Sequence, residues 1–126
     1  GSGVVGVLPE PMPEQEFLYL LKDIFNLPTI SHTKLQGREI RDVAICGGSG
    51  AFLIPRAVSY GADAFVTGEV KYNDYYDAED RLLLAVVGHY ESEICTKDLF
   101  YDLLSIKFPT FAIHKSAFDV NPVKYL

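Results

Sequence analysis

Apolar residues along the chain fall into two kinds of pattern. Short continuous runs are bounded by Gly and Pro and read as strands, while longer stretches repeat at helical spacing. Val4 to Leu8 predicts a first strand, after which Pro9, Pro11 and Pro13 punctuate a turn, with Pro13 opening a helix. Phe17, Leu20, Leu21, Ile24 and Phe25 follow the spacing of an amphipathic helix that Pro28 closes. Thr29 to Lys34, polar and β-branched, predicts an edge strand, and Gln36-Gly37 a turn. Val43 to Cys46 is a buried strand by its unbroken apolar character and runs into Gly47-Gly48-Ser49-Gly50. A helix follows as far as Tyr60; Pro55 within it implies a kink or a late start, and Gly61 caps its end. Ala64 to Thr67 predicts the next strand, and Gly68 to Ala78 a Tyr-rich loop leading into a short helix. Leu82 to Val87 is the strongest strand signal in the chain. One long helix is expected from Glu91 to Ile106, with Ile94, Leu99, Leu103 and Ile106 as its buried stripe. Thr110 to Ile113 predicts a last strand, and Asn121-Pro122 lies in an extended tail.

Strands alternating with helices predict an α/β fold of three layers, a mainly parallel sheet flanked by helices. The expectation is a single domain over residues 1–126, beginning on a strand with no lead-in, as in the C-terminal fragment of a longer protein. Ligands of open α/β sheets bind at the carboxyl ends of strands. Gly47–Gly50, Thr67–Asp77 and Gly88–Glu93 all leave such ends, and parallel strands would bring them to one edge.

Composition narrows the function classes. Among 126 residues, 48% are hydrophobic and 22% charged, the balance of a globular chain with a real core. A net charge of −6 and no Lys/Arg cluster argue against direct nucleic-acid binding, which needs a basic face. No apolar run approaches the ~20 residues that span a membrane. Cys46 and Cys95 fall in a strand and a helix, not in a disulfide framework, so reduced thiols and a cytoplasmic setting are expected.

The sharpest candidate chemistry is Gly88-His89-Tyr90-Glu91-Ser92-Glu93. His89 and Glu93 are four apart and share one helical face, where imidazole nitrogen and carboxylate oxygen can hold a cation. On spacing alone, a histidine packed at the helix start beside solvated glutamates is the commoner case. A stable metal site also needs about four ligands or more, and the other two histidines, His32 and His114, read as structural. Gly47, Gly48, Ser49 and Gly50 could let backbone approach a phosphate, though they complete neither a Walker loop nor a dinucleotide fingerprint. The same stretch loosely matches a nucleophile elbow around Ser49, against the plainer reading of a tight turn with Ser49 as a cap. Thr67 to Asp74 adds carboxylates, a lysine and a phenol at a strand end.

Together these segments are much more specific than any one alone. Val43-Ala44-Ile45-Cys46-Gly47-Gly48-Ser49-Gly50-Ala51, Gly61-Ala62-Asp63-Ala64-Phe65-Val66-Thr67-Gly68-Glu69-Val70-Lys71-Tyr72 and Gly88-His89-Tyr90-Glu91-Ser92-Glu93 closely resemble the Nif-three-like family. Its members are also described as homologues of the type-two form of GTP cyclohydrolase I. The tail Asn121-Pro122-Val123-Lys124-Tyr125 resembles that family's ending, and Gly3 to Met12 the segment that resumes its core after an insertion domain.

The resemblance implies one half of an α/β fold built from two related halves, a dinuclear metal centre, and a toroidal homo-oligomer, commonly a hexamer. It places the late metal ligands on His89 and Glu93. It implies two divalent ions per full-length chain, with zinc, iron or manganese all compatible. The family's remaining ligands, a His-His pair and an Asp, have no counterpart here, so the site is expected to be incomplete and this fragment inactive. Asn73 and Tyr76 stand where many members carry a histidine. The implied activity is metal-dependent hydrolysis of a nucleotide such as GTP, where bound cations activate water. Glu69, Asp74 or Glu91 would orient water or ligand from behind the metal ligands. The alternative is a metal-binding oligomeric scaffold that engages protein partners without catalysis.

Overall fold

A computed structural model describes residues 2–118 and 120–126; Gly1 and Asp119 lie outside the described residues. Five strands form one sheet: β1 (Val4–Pro13), β2 (Ser31–His32), β3 (Glu39–Ser49), β4 (Ala64–Glu69) and β5 (Leu83–Val86), in the order β1-β3-β4-β5-β2. The central strands β3, β4 and β5 are parallel, with Ala44 beside Phe65 and Phe65 beside Leu84. The edges are antiparallel, β1 on β3 and β2 on β5.

The parallel strands read as unbroken apolar runs because both of their faces are covered. On one face α1 (Glu14–Phe25) packs Phe17, Leu18 and Leu21 against Val43, Ala64, Val66, Leu83 and Ala85. On the other, α2 (Ile54–Tyr60) and α3 (Tyr72–Ala78) pack Ile54, Ala57 and Ala78 against Ala44, Phe65 and Leu84. The alternation 43/44, 64/65/66 and 83/84/85 is the two-residue period of the pleat. The layers are helix, sheet, helix, as the α/β pattern predicts.

Several boundaries differ from the sequence expectation. β1 does not stop at Leu8. It resumes pairing at Met12–Ile40 after a register shift, and Pro9 and Pro11 occupy the bulged stretch, where a missing N–H costs no ladder bond. α1 ends at Asn26 in left-handed conformation, two residues before Pro28. It buries Leu18, whereas Ile24 is exposed. Edge strand β2 is shorter than Thr29–Lys34. Pro55 lies in the first turn of α2, after a 3₁₀ turn at Ala51–Leu53, so the helix starts late and does not kink.

The expected helix from Glu91 to Ile106 is two helices, α4 (His89–Glu93) and α5 (Thr96–Lys107). The stripe assigned to it is not a core stripe: Leu99 is 57%, Leu103 53% and Ile106 80% exposed. α5 lies beyond the sheet and buries none of its residues. Thr110 to Ile113 forms no strand and pairs with neither edge of the sheet, β1 nor β2.

Candidate metal centre

The carboxyl ends of β3, β4 and β5 converge at one edge of the sheet. They deliver Gly47–Ser49, Glu69 and, just past β5, His89 at the start of α4. His89 sits between two carboxylates. Its Nδ1 lies 3.0 Å from Glu69 Oε2, and its Nε2 lies 3.3 Å from Glu93 Oε2. The Ser49 hydroxyl donates to the other Glu69 oxygen at 2.8 Å. About half of the His89, Glu69 and Glu93 side chains is exposed.

The electrostatics follow from these contacts. The hydrogen bond to Glu69, supported by the charges of Glu93 and Glu69, holds the His89 imidazole above its ordinary pKa. The Ser49 hydroxyl and then His89 hold Glu69 below the usual carboxylate range. An ionised Glu69 can only accept, so Nδ1 carries the proton. In the neutral ring the Nε2 lone pair then faces Glu93. A carboxylate fixing one imidazole nitrogen, with the other turned toward a second oxygen donor, is the arrangement that orients histidine ligands in metal sites.

Gly48 leaves the space this needs. Its φ is +63°, and a Cβ there would stand 2.5 Å from Glu93 Oε1 and 3.4 Å from His89 Nε2. The opening is therefore bounded by one nitrogen donor and one oxygen donor, a set that suits a divalent cation. Among the described residues, no group of three or more His, Cys, Asp or Glu side chains is placed to hold a metal. The donor chemistry fits a cation, and the donor count is that of part of a site.

The other sequence candidates take different places. Gly47 lies against Ser92, with Glu93 just beyond. The N–H of Gly48 donates to Ser92 Oγ, and that of Gly50 to Thr67 Oγ1, so two donors of the glycine loop are already used within the fold. A phosphate cradle would need them free. Ser49 ends β3 and gives its hydroxyl proton to a carboxylate, not to an imidazole, whereas a nucleophile elbow needs a base there. Asp74 caps α3, accepting from the Lys71 N–H at 2.6 Å. Glu91 accepts from the Asn121 side chain at 2.8 Å. His32 Nδ1 contacts the Thr33 carbonyl on the far edge strand, and His114 is exposed beyond α5.

Two residues that sequence reasoning passed over hold the site together. Ser92 accepts from Gly48 and donates to the His89 carbonyl, pinning α4 to the glycine loop. Thr67, 1% exposed, donates to the Gly48 carbonyl and accepts from the Gly50 N–H. A hydroxyl in the otherwise apolar run Ala64–Val66 was the available signal for Thr67. Ser92, between two candidate ligands, carried none that separates it from a solvated helix residue.

Comparison with known proteins places this geometry in a family. The family model described as Duf34/NIF3 (NGG1p interacting factor 3) matches residues 1–122. A Staphylococcus epidermidis protein named GTP cyclohydrolase 1 type 2 homolog is 35% identical over 99% of the chain. The chain spans only 35% of that relative's length. Among solved structures, a Staphylococcus aureus protein superposes with a TM-score of 0.84 at 28% identity, over 98% of this chain and 42% of that one. A Bacillus cereus protein related to NIF3 gives 0.83 at 25% identity, over 100% of this chain and 36% of that one. With a family model covering nearly every residue and the same fold in its relatives, the chain belongs to the Duf34/NIF3 family.

Proposed function

We propose that the chain supplies two ligands, His89 Nε2 and the Glu93 carboxylate, to a divalent-cation site that further donors outside these residues complete. The observation that carries this reading is the pairing of His89 Nε2 with Glu93 around the opening at Gly48, while Glu69 holds Nδ1. A bound cation supplies Lewis-acid polarisation and a lowered water pKa. The residues of this chain do the rest. Glu69 keeps the proton on Nδ1, Ser49 holds Glu69, and Ser92 fixes the pitch of α4 against the loop. Two donors are fewer than the roughly four of a stable site, so the complete centre belongs to a longer protein. The relatives named GTP cyclohydrolase 1 type 2 homolog, about three times this length, support hydrolytic chemistry on a nucleotide there.

The second reading is a cation-holding scaffold without turnover. The exposed apolar side chains of α5, Leu99, Phe100, Leu103 and Ile106, favour it, because such a surface suits assembly.

Isothermal titration of this chain with zinc tests the site. Weak binding that disappears in both His89→Ala and Glu93→Gln is expected, with no turnover of GTP. Micromolar or tighter binding by the monomer would overturn the incomplete-site reading. Heat that persists in both variants would place the cation elsewhere.

A further inference from the structure

α4 carries both proposed ligands, yet little within the helix holds it in place. It is five residues long, none of them buried, and its first turn has no side-chain cap. A helix of that length does not persist on its own propensity. On the sheet side, Ser92 ties it to the glycine loop. One tether fixes a point and not an orientation. A helix held there alone would pivot about Ser92, and the His89 and Glu93 side chains would swing with it.

The outer side supplies a second tether. Glu91 is the third residue of α4, where a capping-box glutamate would reach back to the N–H of the residue before the helix. That N–H, from Gly88, goes to the Gly68 carbonyl at 3.0 Å instead. Glu91 still lies over Gly88, so close that a Cβ there would collide with its Oε2. Its Oε1 accepts from Asn121 Nδ2 at 2.8 Å. Asn121 Oδ1 in turn accepts from the Val123 N–H at 3.0 Å, across Pro122, whose ring fixes its φ. The amide orientation is thereby settled from both ends. Turned over, it would set oxygen against carboxylate and NH₂ against N–H. Tyr90 and Ile94 share one cleft with Pro122 and Val123, so apolar side chains flank the tether on both sides.

We propose that Asn121 and Glu91 are positioning residues: the turn Asn121–Val123 clamps α4 from outside and, with Ser92 on the inside, fixes the direction in which His89 and Glu93 are presented. The two tethers leave consecutive residues of the helix, about 100° apart around its axis, so together they block the pivot that either alone permits. The clamp rests on the geometry of α4; only its bearing on the ligands rests on the cation-site reading.

Amide hydrogen exchange on the ¹⁵N-labelled chain reads the clamp directly. The Ser92 and Ile94 amides donate to the Gly88 and Tyr90 carbonyls and report α4, while the Phe65 and Leu84 amides report the sheet. Asn121→Asp keeps the acceptor for Val123 but sets a carboxylate against Glu91. It should speed exchange at Ser92 and Ile94 about tenfold and leave Phe65, Leu84 and the urea midpoint unchanged. Adding Glu91→Gln exchanges the amide and the carboxylate between the two positions, and should return both α4 amides to wild-type exchange. Unprotected Ser92 and Ile94 amides in the unaltered chain, wild-type exchange in Asn121→Asp, or no rescue in the double variant would each overturn the clamp. Asn121→Ala, which changes no charge, should weaken manganese binding several-fold, read from the concentration that broadens the His89 signals. Faster α4 exchange in that variant with unchanged manganese binding would overturn the positioning role. If manganese broadens nothing in the unaltered chain, the cation-site reading falls, and exchange decides the clamp without it.

Discussion

Two glycines at the same sheet edge should fail in opposite ways when given one methyl group. At Gly48 the backbone is left-handed, φ +63°, so alanine there costs about 1–2 kcal/mol in conformation. The new Cβ would meet Glu93 Oε1 at 2.5 Å. That oxygen ends a flexible, half-exposed side chain, which can swing aside at little further cost. Gly48→Ala should therefore lower the melting temperature by only about 4–8 °C while displacing one of the two proposed ligands. Gly68 has no such backbone strain, but a Cβ there would stand 2.8 Å from the Gly48 carbonyl oxygen and 3.0 Å from its nitrogen. Those atoms belong to a strand that cannot swing, and Ser92 Oγ, 2.5 Å from the same Cβ, would lose its bond to Gly48. Overpacking plus a lost hydrogen bond amounts to about 2–4 kcal/mol for Gly68→Ala. Urea denaturation measures stability, and manganese-induced broadening of the His89 signals measures the site. The expected result is a modestly lowered midpoint with lost broadening for Gly48→Ala, and the larger midpoint shift for Gly68→Ala. Wild-type broadening in Gly48→Ala, or a Gly68→Ala as stable as wild type, would refute the reasoning.

Glu69→Gln should lower the pKa of His89, because the hydrogen bond that His89 Nδ1 donates to Glu69 is the largest contribution raising it. The protonated imidazole's pairing stabilises the fold below the free-imidazole pKa and is lost as pH rises through the raised value. Cation uptake needs Nε2 deprotonated, so it should grow over that same interval and begin at lower pH in the variant. An unmoved His89 titration by NMR would contradict the assignment. Thr67→Val keeps the shape but strands the Gly48 carbonyl and the Gly50 N–H, and should cost about 1–3 kcal/mol in urea denaturation. A stability loss below half a unit of that range would mean water reaches the loop. Leu103→Glu on α5 should change stability by less than about 0.5 kcal/mol, since the side chain is exposed, whereas buried Leu84→Ala should cost about 2–5 kcal/mol. Comparable losses for the two would show that α5 packs on the sheet after all.

How legible the molecule was depended on what each residue answers to. Ala64–Thr67 and Leu82–Val87 could be read directly, because strands buried on both faces carry their environment in consecutive apolar residues, whereas in Val43–Cys46 only Val43 and Ala44 are buried and Ile45 is exposed. The order of strands and the direction of the edges could not. Whether β1 runs parallel or antiparallel depends on where its partner lies, and Pro9 and Pro11 concealed its continuation because a bulge tolerates proline as well as a turn does. The α5 stripe misled because helical spacing of leucines shows that a face exists, not that anything covers it. At the site, the four-residue spacing of His89 and Glu93 alone favoured a packed histidine beside solvated glutamates, and only the family resemblance marked the pair as candidate ligands. The contact with Glu69 needed the tertiary fold, since it joins residues 20 apart across two strand ends. Ser92 and Thr67 were illegible as organisers for the same reason: their partners are backbone atoms of a loop 44 and 19 residues earlier.

That division between sheet edge and helix also bears on how the proposed ligands are held. Gly68 lies so close to Gly48 that no side chain fits between them, and Thr67 bonds both sides of the loop, so the ends of β3 and β4 form one rigid ledge. Glu69 stands on that ledge and is fixed by Ser49. α4, only five residues long, brings both His89 and Glu93, and it is tied to the ledge through Ser92. The orientation of the histidine is thus set by the sheet through Glu69 and Ser92, while the Glu93 carboxylate keeps the freedom of an exposed side chain. A ligand pair with one fixed and one mobile member suits a site completed from outside. The fixed imidazole would define where the proposed cation sits, and the mobile carboxylate would adjust as further donors complete the site.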